Sequence, residues 1–125
     1  MKYLPNIFGG LLGLAFIASA VVYFFKFADM PPPPAGSPAA HFMAAFIPTG
    51  YMHFVKVCEV LGGVLVAIPH TRNFGLLILG PIILNIIAFH LFVTAGADLA
   101  VPAVFGLIAA YLLWTAREKF AALRN

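Results

Sequence analysis

The sequence has 125 residues, of which only 9% are charged, and its mean hydropathy is +1.04. Soluble domains carry about 25% charged residues, so this composition excludes a water-exposed surface around most of the chain and predicts a lipid environment. The net charge of +3 is too small and too scattered for a nucleic-acid-binding surface. The single cysteine, Cys58, excludes an intrachain disulfide and a C-x-x-C redox pair.

The first predicted element is an apolar helix over residues 4–26. Its beginning resembles a secretory signal peptide, with Lys2 before an apolar stretch that reaches the small residue Ala20. The apolar run continues past Ala20 to Phe25, however, and is long enough to cross a bilayer. We therefore expect it to be an uncleaved transmembrane helix.

A proline-rich outer loop over residues 28–50 follows. Its four consecutive prolines, 31–34, require extended, polyproline-like chain. Ser37 and Pro38 are typical of a helix start, with a capping hydroxyl followed by proline in the first turn. The apolar stretch 39–47 is then too short to span, so it predicts a short helix on the membrane surface or in the mouth of the bundle.

Three further spans are predicted over residues 51–68, 74–95 and 101–117. Thr49 and Asn73 are candidate caps for the second and third spans, and Pro81 predicts a kink in the third. The tail 117–125 is predicted to continue the fourth helix as an amphipathic end. The expected fold class is all-α: a single-domain polytopic membrane protein with a four-transmembrane-helix bundle.

Positive charge is separated from negative charge along this pattern. The basic residues on one side are Lys2, Arg72, Arg117, Lys119 and Arg124, and the opposite loops hold Asp29 and Asp98. Because cytoplasmic loops of membrane proteins are enriched in Lys and Arg, both termini are predicted to lie in the cytoplasm, with the chain in a bacterial inner membrane.

Ionisable and amide side chains inside the spans are the candidate site, because such groups are costly in lipid. The candidates for a polar ligand-binding pocket are Lys26, Lys56, Glu59, Asn85 and His90. Lys56 and Glu59 are three residues apart and share a helix face. From the helical rise, Glu59 lies roughly 12 Å and His90 roughly 8 Å below the outer edge, which predicts a pocket in the outer half of the bundle.

Each candidate also has a structural interpretation. Lys56 could pair with Glu59 and stabilise helix packing, or its side chain could extend to the membrane surface. Asn85 could hydrogen-bond the backbone group that Pro81 leaves without a partner. His90 could donate a hydrogen bond to a quinone, relay protons or bind haem together with His53. Two histidines that follow no haem-binding motif are weak evidence for haem. Cys58 is expected to be packing, and no spacing indicates a metal site.

Several segments resemble the DoxX family of small four-helix membrane proteins. Residues 56–69, KVCEVLGGVLVAIP, are similar to that family's second helix, in which a glutamate precedes a glycine-containing apolar run and a short cytoplasmic turn. Thr71-Arg72 followed by an apolar helix ending at His90, and Lys26 at the end of the first helix, fit the same pattern. The resemblance covers nearly the whole chain in helix order and loop lengths, whereas the proline tetrad departs from it.

The resemblance implies a quinone-linked redox role, since the family is named for a small subunit associated with a quinol-oxidising or thiosulfate:quinone oxidoreductase system. By position, it implies site roles for Lys26, Glu59 and His90. A non-catalytic accessory that stabilises or matures a larger membrane complex is equally compatible, and self-association stays open. A transporter is less favoured because paired broken spans are missing. Without nucleotide-binding, nucleophile or metal motifs, an enzyme acting alone is not expected.

Overall fold

The computed structural model describes residues 2–26 and 31–124, and within these ranges it is helical with no strand. The helices are α1 (Leu4–Phe25), α2 (Pro38–Phe46), α3 (Tyr51–Ala67), α4 (Arg72–Ala88), α5 (Ala100–Thr115) and α6 (Arg117–Ala121). A 3-10 turn, Pro69–Thr71, precedes α4, a π-helical turn, Phe89–Val93, follows it, and a second 3-10 turn, Ala122–Arg124, follows α6. The all-α prediction is confirmed.

Two continuous helical segments are long and apolar enough to cross a membrane, Leu4–Phe25 and Pro69–Val93. Two further pairs qualify only when each bent pair is taken as one span. In these, α2 and α3 meet at 82°, and α5 meets the α6 tail at 77°. The structure therefore has two to four helices able to cross a membrane, consistent with a membrane protein.

Helices α1 and α3 run antiparallel in close contact along most of their length. Gly9 lies beside Val66 at one end, and the Tyr23 ring contacts the His53 ring at the other end, with centroids 5.3 Å apart. In the middle, a Cβ on Gly13 would collide with the Gly63 carbonyl oxygen, so the two backbones almost touch. Small residues permit such close approach between helices in lipid.

The remaining helices complete an up-and-down arrangement. Helix α4 runs antiparallel to α3, because Gly75 lies against Val66. The nearby Gly62–Leu79 contact fixes the same register. Helix α5 runs antiparallel to α1, with the Phe16 and Phe105 rings 5.4 Å apart. Its position beside α4 closes the core, whose largest fully buried side chains are Phe16, Leu12, Leu79, Leu112 and Val66.

Helix α2 lies at the end of the bundle where α1 ends and α3 begins. We call this end outer and the opposite end inner, after the orientation predicted from the sequence. The Ser37 side chain accepts a hydrogen bond from the Ala40 amide at 3.2 Å, which confirms the predicted cap. The Phe42 ring lies 4.7 Å from the Phe89 ring of the π turn, so the short helix contacts the bundle. The predicted cap at Thr49 is wrong, because this hydroxyl donates to the Ala45 carbonyl 2.6 Å away and closes α2 instead.

Two predictions at the inner end are also wrong. Asn73 does not cap the third span, because the helix already begins at Arg72 and Thr71 occupies the cap position. The tail does not continue α5 but turns by 77°. The Arg117 guanidinium stacks over the Trp114 ring at 4.4 Å and donates to the Trp114 carbonyl, which holds this turn.

Candidate functional site

The most unusual buried group is the carboxylate of Glu59, in the middle of α3. Its side chain is only 3% exposed, and the Lys56 ammonium lies 3.0 Å from Oε2. That approach is an ion pair without hydrogen-bond geometry, so Oε2 is a buried acceptor with no hydrogen bond among the described residues. Most buried polar atoms in native proteins are hydrogen-bonded, so Glu59 Oε2 relies on the charge of Lys56 and keeps the capacity to accept a further hydrogen bond.

Lys56 links this carboxylate to a column of polar side chains between α1 and α3. Its ammonium donates a hydrogen bond to Ser19 Oγ at 3.1 Å and lies 5.7 Å from the centre of the Tyr23 ring. The Tyr23 hydroxyl is in turn hydrogen-bonded to His53 Nδ1 at 3.0 Å. The column therefore leads from His53, near the outer end, inward to Glu59.

Helical spacing explains why these side chains meet. Ser19 and Tyr23 are four residues apart and occupy one face of α1, whereas His53, Lys56 and Glu59 are spaced by three on one face of α3. The glycine contacts hold α1 and α3 close enough for the two faces to touch. The close packing of small residues thus assembles the polar column.

Of the predicted site residues, the structure brings together Lys56 and Glu59 only. Since Gly62 lies against Leu79 on α4, the register places Glu59 level with residues 82–83. His90 lies seven to eight residues further along α4, roughly 11 Å nearer the outer end. The common depth predicted for Glu59 and His90 is not seen. Helix α3 begins about level with His90, and Glu59 lies eight residues further into the bundle.

His90 secures the turn that follows α4. Its Nδ1 donates to the Ala97 carbonyl at 2.8 Å. Thr94 Oγ1 donates to the His90 carbonyl at 2.9 Å, within a turn that includes left-handed residues at 95, 96 and 98. These contacts hold the turn in place. His53 and His90, the candidate haem pair, each use Nδ1 in a hydrogen bond.

Lys26 and Asn85 also lie apart from the ion pair. Lys26 is exposed at the end of α1 in a left-handed conformation, with φ of 55°. Asn85 is exposed, and its amide donates to the Pro81 carbonyl one turn earlier, at 2.9 Å. Its side chain therefore satisfies helix backbone next to the proline, the structural interpretation considered above.

Sequence reasoning selected Lys26 from the first helix and missed Ser19 and Tyr23, the α1 residues that contact the α3 polar face. His53 was considered there as one of a candidate haem pair and not as a neighbour of Lys56. A signal was present, because two hydroxyls four residues apart in an otherwise apolar helix mark one face. Within the described residues, no group of three metal-ligating side chains converges.

The Lys56–Glu59 pair offers both an acceptor and a donor to a small polar group that approaches it. A bound hydroxyl can donate to Glu59 Oε2, and a bound carbonyl oxygen can accept from Lys56, which carries three N–H donors. The Lys56 side chain is 16% exposed, so the pair is open on one side.

Among known proteins, the chain is similar to the uncharacterized protein YwoB of Bacillus subtilis (strain 168). The two are 30% identical over an alignment 128 positions long, which covers 98% of this chain and 82% of that protein. The chain belongs to the YwoB family. No protein-family model matches the chain, and no solved structure matches it. The name of the family's Bacillus member states no ligand or activity.

Proposed function

We propose that this chain is a four-span inner-membrane protein that binds a quinone-type ligand at the Lys56–Glu59 pair. In this proposal it serves as a subunit or accessory of a larger membrane redox complex and is not an enzyme on its own. The observation that carries the proposal is the buried carboxylate of Glu59, whose Oε2 has an ion-pair partner but no hydrogen bond among the described residues. An ionisable residue inside a membrane bundle is by default a candidate functional site.

The four-span arrangement is supported by how the shorter helices pack. Helix α3 has 17 residues and α5 has 16, each roughly 25 Å long at 1.5 Å per residue. A hydrocarbon core is about 30 Å thick, and modest mismatch is absorbed by bilayer thinning. Because α3 lies along α1 from Gly9 to Tyr23, it occupies most of the same depth as a helix long enough to span.

The proposed orientation places both termini in the cytoplasm. The start of α1, the start of α4 and the end of α5 lie at one end of the up-and-down bundle. The basic residues identified in the sequence lie at or next to these helix ends. Excess Lys and Arg favours the cytoplasmic side. The Lys56–Glu59 pair then lies near mid-membrane, with His53 between it and the periplasmic surface.

A quinone or quinol head group fits the chemistry of the pair. A quinol hydroxyl can donate a further hydrogen bond to Glu59 Oε2, and a quinone carbonyl can accept one from Lys56. The Tyr23 ring beside Lys56 offers an aromatic surface for a flat head group. A membrane-dissolved ligand would reach the pair from the lipid through the exposed side of Lys56.

The accessory role and the redox partner rest on the resemblance to the DoxX family, which stays a prediction. A subunit of this kind should co-purify with a larger oxidoreductase from native membranes. The alternative, a scaffold or maturation factor, would co-purify with its partner as well but would bind no quinone. Measuring quinone binding therefore separates the two.

Glu59→Gln is expected to weaken binding of a short-chain quinol to the purified full chain by about tenfold or more. The physical reason is that a hydrogen bond to a charged acceptor is worth about 1.5–3 kcal/mol, and the amide lacks that charge. The measurement is an equilibrium binding titration in detergent micelles. Glu118→Gln is the matched control, because it makes the same change in α6 at the opposite end of the bundle.

Equal quinol affinity in the wild type and Glu59→Gln would contradict the proposed site. Equal loss in both variants would show that binding does not depend on Glu59 in particular. A loss confined to Glu59→Gln, together with a quinone in the organic extract of the native protein, is the result that the proposal expects.

A further inference from the structure

A polar cavity lies at the inner end of the bundle, far from the Lys56–Glu59 pair. It has a volume of about 240 Å³ and lies between the start of α4 and the turn from α5 into α6. Its polar lining residues are Arg72, Asn73, Thr115, Glu118 and Lys119. Two cations and one carboxylate give this lining a net positive charge.

The guanidinium of Arg72 is held in place yet incompletely satisfied. Its Nε donates to the Val66 carbonyl at 3.1 Å, which caps the end of α3. Its Nη2 is buried and has no hydrogen-bond partner among the described residues. Gly9 leaves the space for this side chain, since a Cβ there would lie 2.5 Å from Nε. A buried, unpaired guanidinium donor favours an anionic partner close by.

Lys119 supplies a second cation to the same cavity. Its ammonium forms no ion pair with the neighbouring Glu118, nor with any other acidic group in residues 2–26 and 31–124 that would neutralise it. The side chain is placed there by the 77° turn after α5, which swings α6 across the end of α4. A tail that continued α5 straight would carry Lys119 away from Arg72.

An apolar groove adjoins the polar cavity. The two share Asn73 and Lys119, and the groove, of about 120 Å³, is otherwise lined by the apolar side chains Phe74, Leu77, Phe120 and Leu123. The polar, positively charged cavity matches the head group of an anionic phospholipid, and the adjoining apolar groove matches an acyl chain. A free phosphate would occupy the cavity but leave the groove empty.

We propose that this paired cavity and groove bind one phosphatidylglycerol molecule of the cytoplasmic leaflet. The lipid phosphate lies between Arg72 and Lys119, a glycerol hydroxyl donates to Glu118, and an acyl chain follows the groove along Phe74. The net positive lining complements a singly charged anionic head group. The site extends beyond the function proposed above and depends only on the inner end of the bundle facing that leaflet.

The test is native mass spectrometry of the full chain in micelles titrated separately with phosphatidylglycerol, phosphatidylethanolamine and phosphatidylcholine. We expect one phosphatidylglycerol to be retained per chain. Lys119→Gln should weaken its binding by about fivefold, the contribution of one basic residue near an anionic lipid surface. The matched control, Lys2→Gln, removes an exposed charge at the same end of the bundle that lines neither the cavity nor the groove and should change the affinity by less than about twofold at physiological ionic strength.

Arg72→Gln is a less clean variant, because it also removes the hydrogen bond that caps α3. Equal retention of the three lipids would overturn the proposal. Equal losses in Lys119→Gln and Lys2→Gln would also overturn it, because they would indicate general charge attraction. Displacement of the lipid by inorganic phosphate at equal concentration would identify a free-anion site in its place.

Discussion

Lys56→Met is expected to lower the free energy of unfolding by about 3–5 kcal/mol, the cost of leaving one member of a buried ion pair without its partner. Glu59 is the member left behind, and at 3% exposure it has little access to water. The variant also breaks the hydrogen bond from Lys56 to Ser19, which joins α3 to α1. The measurement is reversible unfolding of the full chain in mixed micelles.

Two further variants decide what this loss means. Lys26→Met removes a lysine that is exposed at the end of α1 and should change stability by less than about 0.5 kcal/mol. The double variant Lys56→Met with Glu59→Leu removes both charges and should recover the wild-type stability or exceed it, because apolar replacement of a buried pair is often neutral or stabilising. A double variant as unstable as Lys56→Met would contradict this account of the pair.

Gly75→Ala is expected to destabilise the bundle by about 1–3 kcal/mol, the usual cost of overpacking a tight contact. A Cβ at this position would collide with the Val66 backbone nitrogen and would lie 2.8 Å from the Val66 Cα and 2.9 Å from the Gly62 carbonyl oxygen. All three are backbone atoms, so no side-chain rotation can relieve the overlap, and α3 and α4 must move apart.

Gly10→Ala is the matched control for that substitution. The same methyl group at Gly10 meets nothing within 4 Å, so only the helix propensity changes. Alanine is favoured over glycine in a helix by about 1 kcal/mol, so this variant should be slightly stabilised. Unfolding of both variants under identical conditions gives the comparison, and equal stabilities would mean that α3 and α4 are not in close contact at Gly75.

The helices were largely predictable because apolar runs of about twenty residues have few alternatives. The predicted segment 4–26 is helical over Leu4–Phe25, and the short helix begins after Ser37 as its capping pattern indicates. The helix ends were less predictable. Thr49 and Asn73 both have capping chemistry, but Thr49 closes α2 and Asn73 lies inside α4, because each hydroxyl or amide can serve a helix on either side.

The site was predictable only where its residues share a helix. Lys56 and Glu59 meet because residues three apart in a helix are neighbours on its surface. The partners on α1 depend on the register between two helices, which Gly13 and Gly63 set by their close approach. Counting residues from predicted helix ends cannot supply that register, so His90 was placed with Glu59 although it secures the turn at Ala97.

Infrared difference spectroscopy of Glu59 tests the proposed ligand site most directly. Glu59 and Glu118 are the two glutamates of the sequence, so Glu118→Gln protein carrying 13C-carboxyl glutamate reports on Glu59 alone. Saturating short-chain quinol should shift the labelled carboxylate band, because its hydroxyl hydrogen-bonds to Oε2. An unchanged labelled band at saturation would contradict the account and leave the Lys56–Glu59 pair as a structural contact.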